Sequence, residues 1–208
     1  MNIYEMVENE QPSKLKIVEQ LQFVPGIWVD GRYYWLNTSM EKVIYEEKLV
    51  LKVKQEQIHS KIRLSNIYVS NYSGREKEIK ILVMHQYPNP CHEQLTFISP
   101  SENRIFHLAN KKLHMVNGQF QGRTLTECTA MSLWNVFTDR IWNSLEKGTL
   151  KYQPMAKGLS ASIFALKLSL NPHETKKVHT WAINGKDKNE VLFLEQALLK
   201  NTLAFPFE

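Results

Sequence analysis

Apolar and polar residues alternate with a period of two along most of this chain. In Glu47 to Lys54, Leu49, Leu51 and Val53 point one way while Lys48, Lys52 and Lys54 point the other, the pattern of a strand with one buried face. Ile79, Ile81 and Val83 form a second such row within residues 77–84. Turn chemistry separates the strands. Asp30-Gly31 lies between Trp28-Val29 and the aromatic run Arg32 to Trp35, and Asn117-Gly118 lies between Leu113 to Val116 and Gln119-Phe120. Both dipeptides suit type I′ turns, in which both central residues take positive φ. Ser73-Gly74 marks a further turn, and Asn171-Pro172-His173-Glu174 divides residues 166–187 into a closing hairpin. In the second strand of that hairpin Lys177, His179, Trp181 and Ile183 share one face, opposite Val178, Thr180 and Ala182. His173 is expected exposed at the tip, with Trp181 and Ile183 buried and with Lys177 and His179 emerging near the turn. Many short antiparallel strands joined by tight turns predict a mainly β protein, a large antiparallel β-sandwich.

Two segments depart from this period and predict one or two short helices. Leu133, Trp134, Phe137, Ile141, Trp142 and Leu145 recur at helical spacing within residues 130–147, and Lys147-Gly148 would supply the cation and left-handed cap of a helix end. Asp187 and Glu190 stand three apart ahead of Val191, Leu194, Ala197 and Leu198, which reads as a capped terminal helix. Trp134, Trp142 and Trp181 are expected in the core or beneath a helix packed on a sheet. No repeat or linker interrupts the chain, and its 208 residues, 1–208, fit a single domain that buries roughly 70% of its extended-chain surface.

Composition narrows the setting. Cys91 and Cys128 are too few for a disulfide framework and read as free thiols in a reducing compartment. Residues 1–10 carry three glutamates and no apolar run, and no stretch approaches the ~20 apolar residues of a membrane helix, so a cytoplasmic protein without membrane contact is expected. The acceptor patterns at Asn37 and Asn71 are then chance matches. The net charge of +5 is spread along the chain, and the pairs Lys111-Lys112 and Lys176-Lys177 sit in alternating patterns where lysine faces water. A solvated surface is expected, not a nucleic-acid partner.

Motifs whose mechanism dictates spacing are missing: the sequence has no Gly-rich phosphate loop, no His-Glu-x-x-His, no Gly-x-Ser-x-Gly and no Cys-x-x-Cys. Glycoside hydrolysis needs two carboxylates about 5 to 9.5 Å apart, and of the three aspartates Asp30 and Asp187 already serve a turn and a cap. No catalytic residue is assigned. The densest polar run, Met84 to Gln94, holds His85, Cys91, His92 and Glu93, which as types could ligate zinc at ~2.0 to 2.3 Å. His85 closes a strand and Pro88 and Pro90 stiffen the loop, so neither metal nor cofactor is expected. His85, His92 and His107 remain a candidate polar cluster, with His85 and His107 as the acid and base of any sugar-active chemistry. Trp28, Tyr33, Tyr34, Trp35 and Tyr87 are candidate carbohydrate-stacking residues; Tyr33 and Trp35 share one face and Tyr34 the other, so at least one set belongs to the core.

Three stretches, "IRLSNIYVSNYSGREKEIKILVMHQY", "SENRIFHLANKKLHMVNG" and "GLSASIFALKLSLNPHETKKVHTWAINGKDKNEVLFLEQAL", cover residues 62–118 and 158–198 in large part. They resemble the N-terminal β-sandwich, or supersandwich, of bacterial glucoamylase-type glycoside hydrolases, a galactose-mutarotase-like fold. The resemblance implies a sandwich that packs against a following helical barrel holding the catalytic carboxylates. No barrel follows within these 208 residues, and none of those carboxylates is carried onto a position here. The expectation is a non-catalytic domain linked to carbohydrate metabolism that acts through a surface, as a homodimer or with a protein partner. The alternatives are a carbohydrate-binding module that holds an oligosaccharide, and a sugar-active epimerase or lyase.

Overall fold

The computed structural model describes residues 21–37, 39–88 and 94–203. In chain order β1 (Gln22–Val29) and β2 (Arg32–Trp35) form a hairpin, β3 (Glu41–Ile44) and β4 (Leu49–His59) another, and β5 (Ile62–Asn71) and β6 (Lys77–Gln86) follow. Next come the meander β7 (Leu95–Ser99), β8 (Arg104–Ala109) and β9 (Lys112–Gln119), then β10 (Glu127–Ser132), the one-turn α1 (Leu133–Val136) and a 3₁₀ turn at Asp139–Ile141. The pair β11 (Trp142–Ser144) and β12 (Thr149–Leu150) leads to β13 (Met155–Lys157), β14 (Ser160–Leu170), β15 (Thr175–Gly185) and α2 (Lys188–Leu203). No described helix is long and apolar enough to cross a membrane.

The strands build an antiparallel β-sandwich. A five-stranded sheet runs β10-β14-β6-β1-β2 and an eight-stranded sheet runs β13-β7-β8-β9-β15-β5-β4-β3. The alternating rows meet between them: Ile79, Ile81 and Val83 with Phe164, Leu166 and Leu168 face Leu49, Leu51 and Val53 with Ile67, Val69 and Val178. Both sheets also cover part of an outer face. Val24, Leu82, Met84 and Ile163 of the small sheet lie beneath Val136, Ile141, Trp142 and Leu150. Leu64, Phe106, Met115 and Trp181 of the large sheet lie beneath Val191 and Leu198 of α2.

Asp30 and Gly31 take φ of 47° and 78°, as a type I′ turn requires. At the terminal helix Asp187 Oδ1 accepts from Glu190 N at 2.9 Å, and the Glu190 carboxylate returns to Lys186 N at 2.7 Å. His173 is exposed with φ 59°, while Lys177 and His179 are half-buried instead of emerging. Trp181 and Ile183 are buried at 3% and 0% exposure.

Four further expectations are corrected. Strands β14 and β15 are not a hydrogen-bonded hairpin: β14 pairs with β6 and β10, and β15 with β5 and β9, so residues 171–174 cross from one sheet to the other. Asn71 ties this crossing to the one between β5 and β6. Its side-chain amide donates to Arg75 O, Leu170 O and Asn171 O at 2.8, 3.1 and 3.0 Å, and its Oδ1 accepts from Ser73 N at 3.0 Å. Asn71→Ala is expected to destabilise the fold by about 1 to 3 kcal/mol, read as a lowered urea midpoint at unchanged slope, because buried carbonyls lose their donor.

Asn117-Gly118 is not a turn either. It lies inside β9, where Asn117 pairs with Trp181 and Gly118 with Thr180, and the turn falls at Asn110-Lys111 with φ of 50° and 60°. A Cβ at Gly118 would stand 3.0 Å from the Phe164 ring, so glycine here lets the two sheets approach.

Residues 130–147 do not form one helix. Residues through Ser132 pair with β14, Thr138 Oγ1 donates to Asn135 O at 2.8 Å and accepts from Arg140 N at 3.3 Å, and the chain breaks into short turns. Gly148 closes the β11–β12 turn with φ 60°, and a Cβ there would lie 2.5 Å from the Trp28 ring. Buried Lys80 holds this hairpin down by pairing with Glu127 and donating to Gly148 O at 2.8 Å, while Glu127 accepts from Leu150 N at 2.8 Å. Trp134, finally, is 79% exposed, because Leu133 and Val136 take the inward positions on α1.

Candidate functional site

The inward rows change character toward one end of the sandwich. On β6 the residue after Ile79, Ile81 and Val83 is His85; on β8 His107 follows Ile105; on β9 His114 precedes Val116; and on β14 Ser160 and Ser162 precede Phe164. All five polar residues are buried. The pleat continues unchanged, so the same face that makes the core delivers three imidazoles into it.

His107 sits between two hydroxyls, with Thr96 Oγ1 3.1 Å from Nδ1 and Ser162 Oγ 2.8 Å from Nε2. Thr96 and Ser160 hydroxyls stand 2.8 Å apart, and Tyr87 OH is 2.8 Å from His114 Nδ1. His85 packs its ring against Phe23 and Phe164 at centroid distances of 5.6 and 6.0 Å, and its Nδ1 has no hydrogen-bond partner. Burial drives the His85 pKa down to about 3, assisted by the charge of Arg63 and by His114. Burial also holds His107 well below the ordinary range, with smaller effects from His85 and His114. These rings are neutral at pH 7.

One member of the cluster, His114, lines a pocket together with Ile62, Arg63, Ala182 and Asn184 of the large sheet and Leu21 ahead of the small one. No carboxylate hydrogen-bonds His85 or His107 among the described residues, and none of their described neighbours forms the acid and base pair of a hydrolase. Among the described residues no group of three or more His, Cys, Asp and Glu is placed to hold a metal ion. His92 lies outside the described residues, as do Cys91 and Glu93. Cys128 is half-buried, and burial pushes its thiol pKa up.

The aromatic hairpin is engaged in packing. Trp28 Nε1 donates to Leu145 O at 2.8 Å, Tyr33 OH donates to Asp139 Oδ1 at 3.1 Å, and the Tyr33 ring lies 5.4 Å from that of Trp142. Burial and the Asp139 carboxylate both raise the Tyr33 pKa. Trp28, Tyr33 and Trp35 join the outer cluster of the small sheet, Tyr34 joins the central core, and Lys42 caps that hairpin by donating to Trp35 O at 3.0 Å. Tyr87 is 9% exposed. Trp134 at 79% and Phe137 at 54% exposure face solvent on the segment that covers the small sheet, and Tyr45, Tyr72, Tyr152 and Phe193 are exposed elsewhere.

Sequence reasoning missed Arg63, His114, Trp134 and Phe137 as site candidates. Arg63 and His114 were legible as interruptions of otherwise apolar inward rows, Arg63-Ser65-Ile67-Val69 and His114-Val116. Trp134 and Phe137 gave no such signal, because an apolar residue at helical spacing looks the same whether or not a helix forms.

No family model and no curated protein matches the chain. Among solved structures it is similar to a polysaccharide lyase, at 9% identity and a TM-score of 0.47, covering 83% of this chain and 26% of that one. It is also similar to a protein described as a kojibiose phosphorylase from the human microbiome, at 11% identity and a TM-score of 0.43, covering 91% of this chain and 26% of that one. The chain therefore spans about a quarter of the length of each, and both are named as carbohydrate-active enzymes.

Proposed function

We propose that this chain is a non-catalytic β-sandwich domain that self-associates through the ledge formed by Trp134 and Phe137. The observation that carries this reading is a tryptophan with 79% of its surface in water on a segment that is itself anchored. Leu133 N donates to Leu159 O at 2.9 Å, and Val136, next to Phe137 in the chain, is fully buried. A rigid ledge loses little conformational freedom on binding, and Trp and Arg dominate interface energetics; Arg140 stands exposed on the same segment. The chemistry-bearing residues support a non-catalytic role, since burial holds His85 and His107 neutral in the interior. A second copy is the simplest partner because one patch then serves both sides. A link to carbohydrate metabolism belongs to the same proposal and rests on the sequence resemblance.

Sedimentation equilibrium at tens of micromolar tests it. The wild type is expected to dimerise, and Trp134→Ala with Phe137→Ala to weaken association by about thirtyfold or more. Both substitutions should leave the unfolding free energy from urea melts within about 0.5 kcal/mol of the wild type, as exposed positions do. A strict monomer at these concentrations overturns self-association. Carbohydrate binding is the second reading, favoured by the open indole face of Trp134, and a saturable change of tryptophan emission with maltodextrins that is lost in Trp134→Ala would establish it instead.

A further inference from the structure

Arg63 occupies the mouth between the sheets, and no acid among the described residues answers it. It points inward from β5 in the row Arg63-Ser65-Ile67-Val69 and is half-buried. Its guanidinium donates to Leu21 O at 3.3 Å, and no carboxylate among the described residues pairs with it. Burial lowers its pKa, and its charge is felt by His85, which is 2% exposed and carries an orphaned Nδ1. A partly desolvated cation without a counter-charge is costly to hold, and the cost falls when an anion enters.

The surroundings match that need. Gln57, Ser60, His114 and Asn184 line the mouth with hydroxyl, amide and imidazole groups, and the neighbouring Lys61 is already paired with Glu190, which also holds Lys186 N. The cavity is about 20 Å³, room for about one water, and it opens to solvent, so a small acid meets Arg63 at the opening and a sugar ring does not enter. A guanidinium fork binds planar and tetrahedral oxyanions through parallel N–H donors. We propose that this mouth is a binding site for a small oxyanion, the carboxylate of a small organic acid, with Arg63 as the fork and Ser60 and Asn184 as flanking donors. The site lies between the sheets and is independent of the Trp134 ledge.

Thermal unfolding of the full chain at pH 7, with acetate or inorganic phosphate exchanged for chloride at constant ionic strength, tests the assignment. Acetate at ten times its dissociation constant is expected to raise Tm by about 3 to 6 °C, and Arg63→Gln to abolish the rise. A response to phosphate alone would identify the oxyanion as tetrahedral at the same fork. Should Arg63→Gln fail to fold, the ¹⁵N–¹H signal of the Arg63 guanidinium in the wild type must shift saturably with acetate or phosphate, assigned through its loss in Arg63→Lys. No anion-specific rise in Tm together with an unmoved Arg63 signal overturns the proposal, as does an equal rise in wild type and Arg63→Gln.

Discussion

Glu195→Ala is expected to destabilise the fold by about 3 to 5 kcal/mol, the loss that follows when one partner of a buried, hydrogen-bonded charge is removed. Glu195 is fully buried between α2 and the large sheet. Its Oε1 accepts from Trp181 Nε1 at 3.0 Å and from Asn117 Nδ2 at 2.8 Å, and its Oε2 accepts from Arg104 Nε. Removing the carboxylate leaves three donors on β15, β9 and β8 without an acceptor beneath a helix that excludes water. Trp181→Ala is expected to cost a similar ~3 to 5 kcal/mol through its cavity. Trp181→Phe keeps most of the ring and loses the indole N–H, so a cycle of Trp181→Phe with Glu195→Ala isolates the coupling between the two side chains, and the two changes should be non-additive by about 0.5 kcal/mol or more. Urea melts of the four proteins provide the values. A loss below about 1 kcal/mol for Glu195→Ala would mean that α2 is not clamped to the sheet in this way.

Lowering the pH from 7 to 5 is expected to remove about 4 kcal/mol of stability through His85 and His107. Their folded-state pKa values lie below the ordinary 6.5, that of His85 at about 3, with burial as the main cause. The unfolded chain takes up two protons near pH 6.5 that the folded chain refuses, so this stability is fully present above that pH and is lost progressively below it. Each imidazole contributes a slope of up to about 1.4 kcal/mol per pH unit between ~6.5 and its folded value. Urea midpoints at pH 7 and pH 5 read the loss, and His107→Asn should flatten the profile by about half. Equal midpoints at both pH values would show that the imidazoles are not held neutral in the interior.

How much of this was legible in the sequence differs from residue to residue. Alternation announced the inward rows at Leu49 to Val53 and Ile79 to Val83, and Asp30-Gly31 and Asp187 with Glu190 announced a turn and a helix start. Each of these is a local property: the pleat fixes side-chain period within a strand, and turn and cap chemistry act over two to four residues. The candidate site was only partly readable. His85 and His107 could be named as a cluster, but alternation does not say whether an inward face ends in water or in the core, so their burial and their company with His114 and Arg63 were not foreseen.

The sequence by itself determined that this chain is a sandwich of antiparallel strands with a capped terminal helix. The tertiary structure alone decided the partners. It sent β14 and β15 to different sheets, because their bonds go to β6 and β5 and not to each other. It turned Asn117-Gly118 from a turn into a strand interior, since a glycine there admits Phe164 of the opposite sheet. It broke residues 130–147 into short pieces, with β10 paired to β14 and Ile141 and Trp142 buried on the small sheet. Strand pairing and the covering of outer faces depend on residues far apart in the chain, and a period read over ten residues carries no record of them.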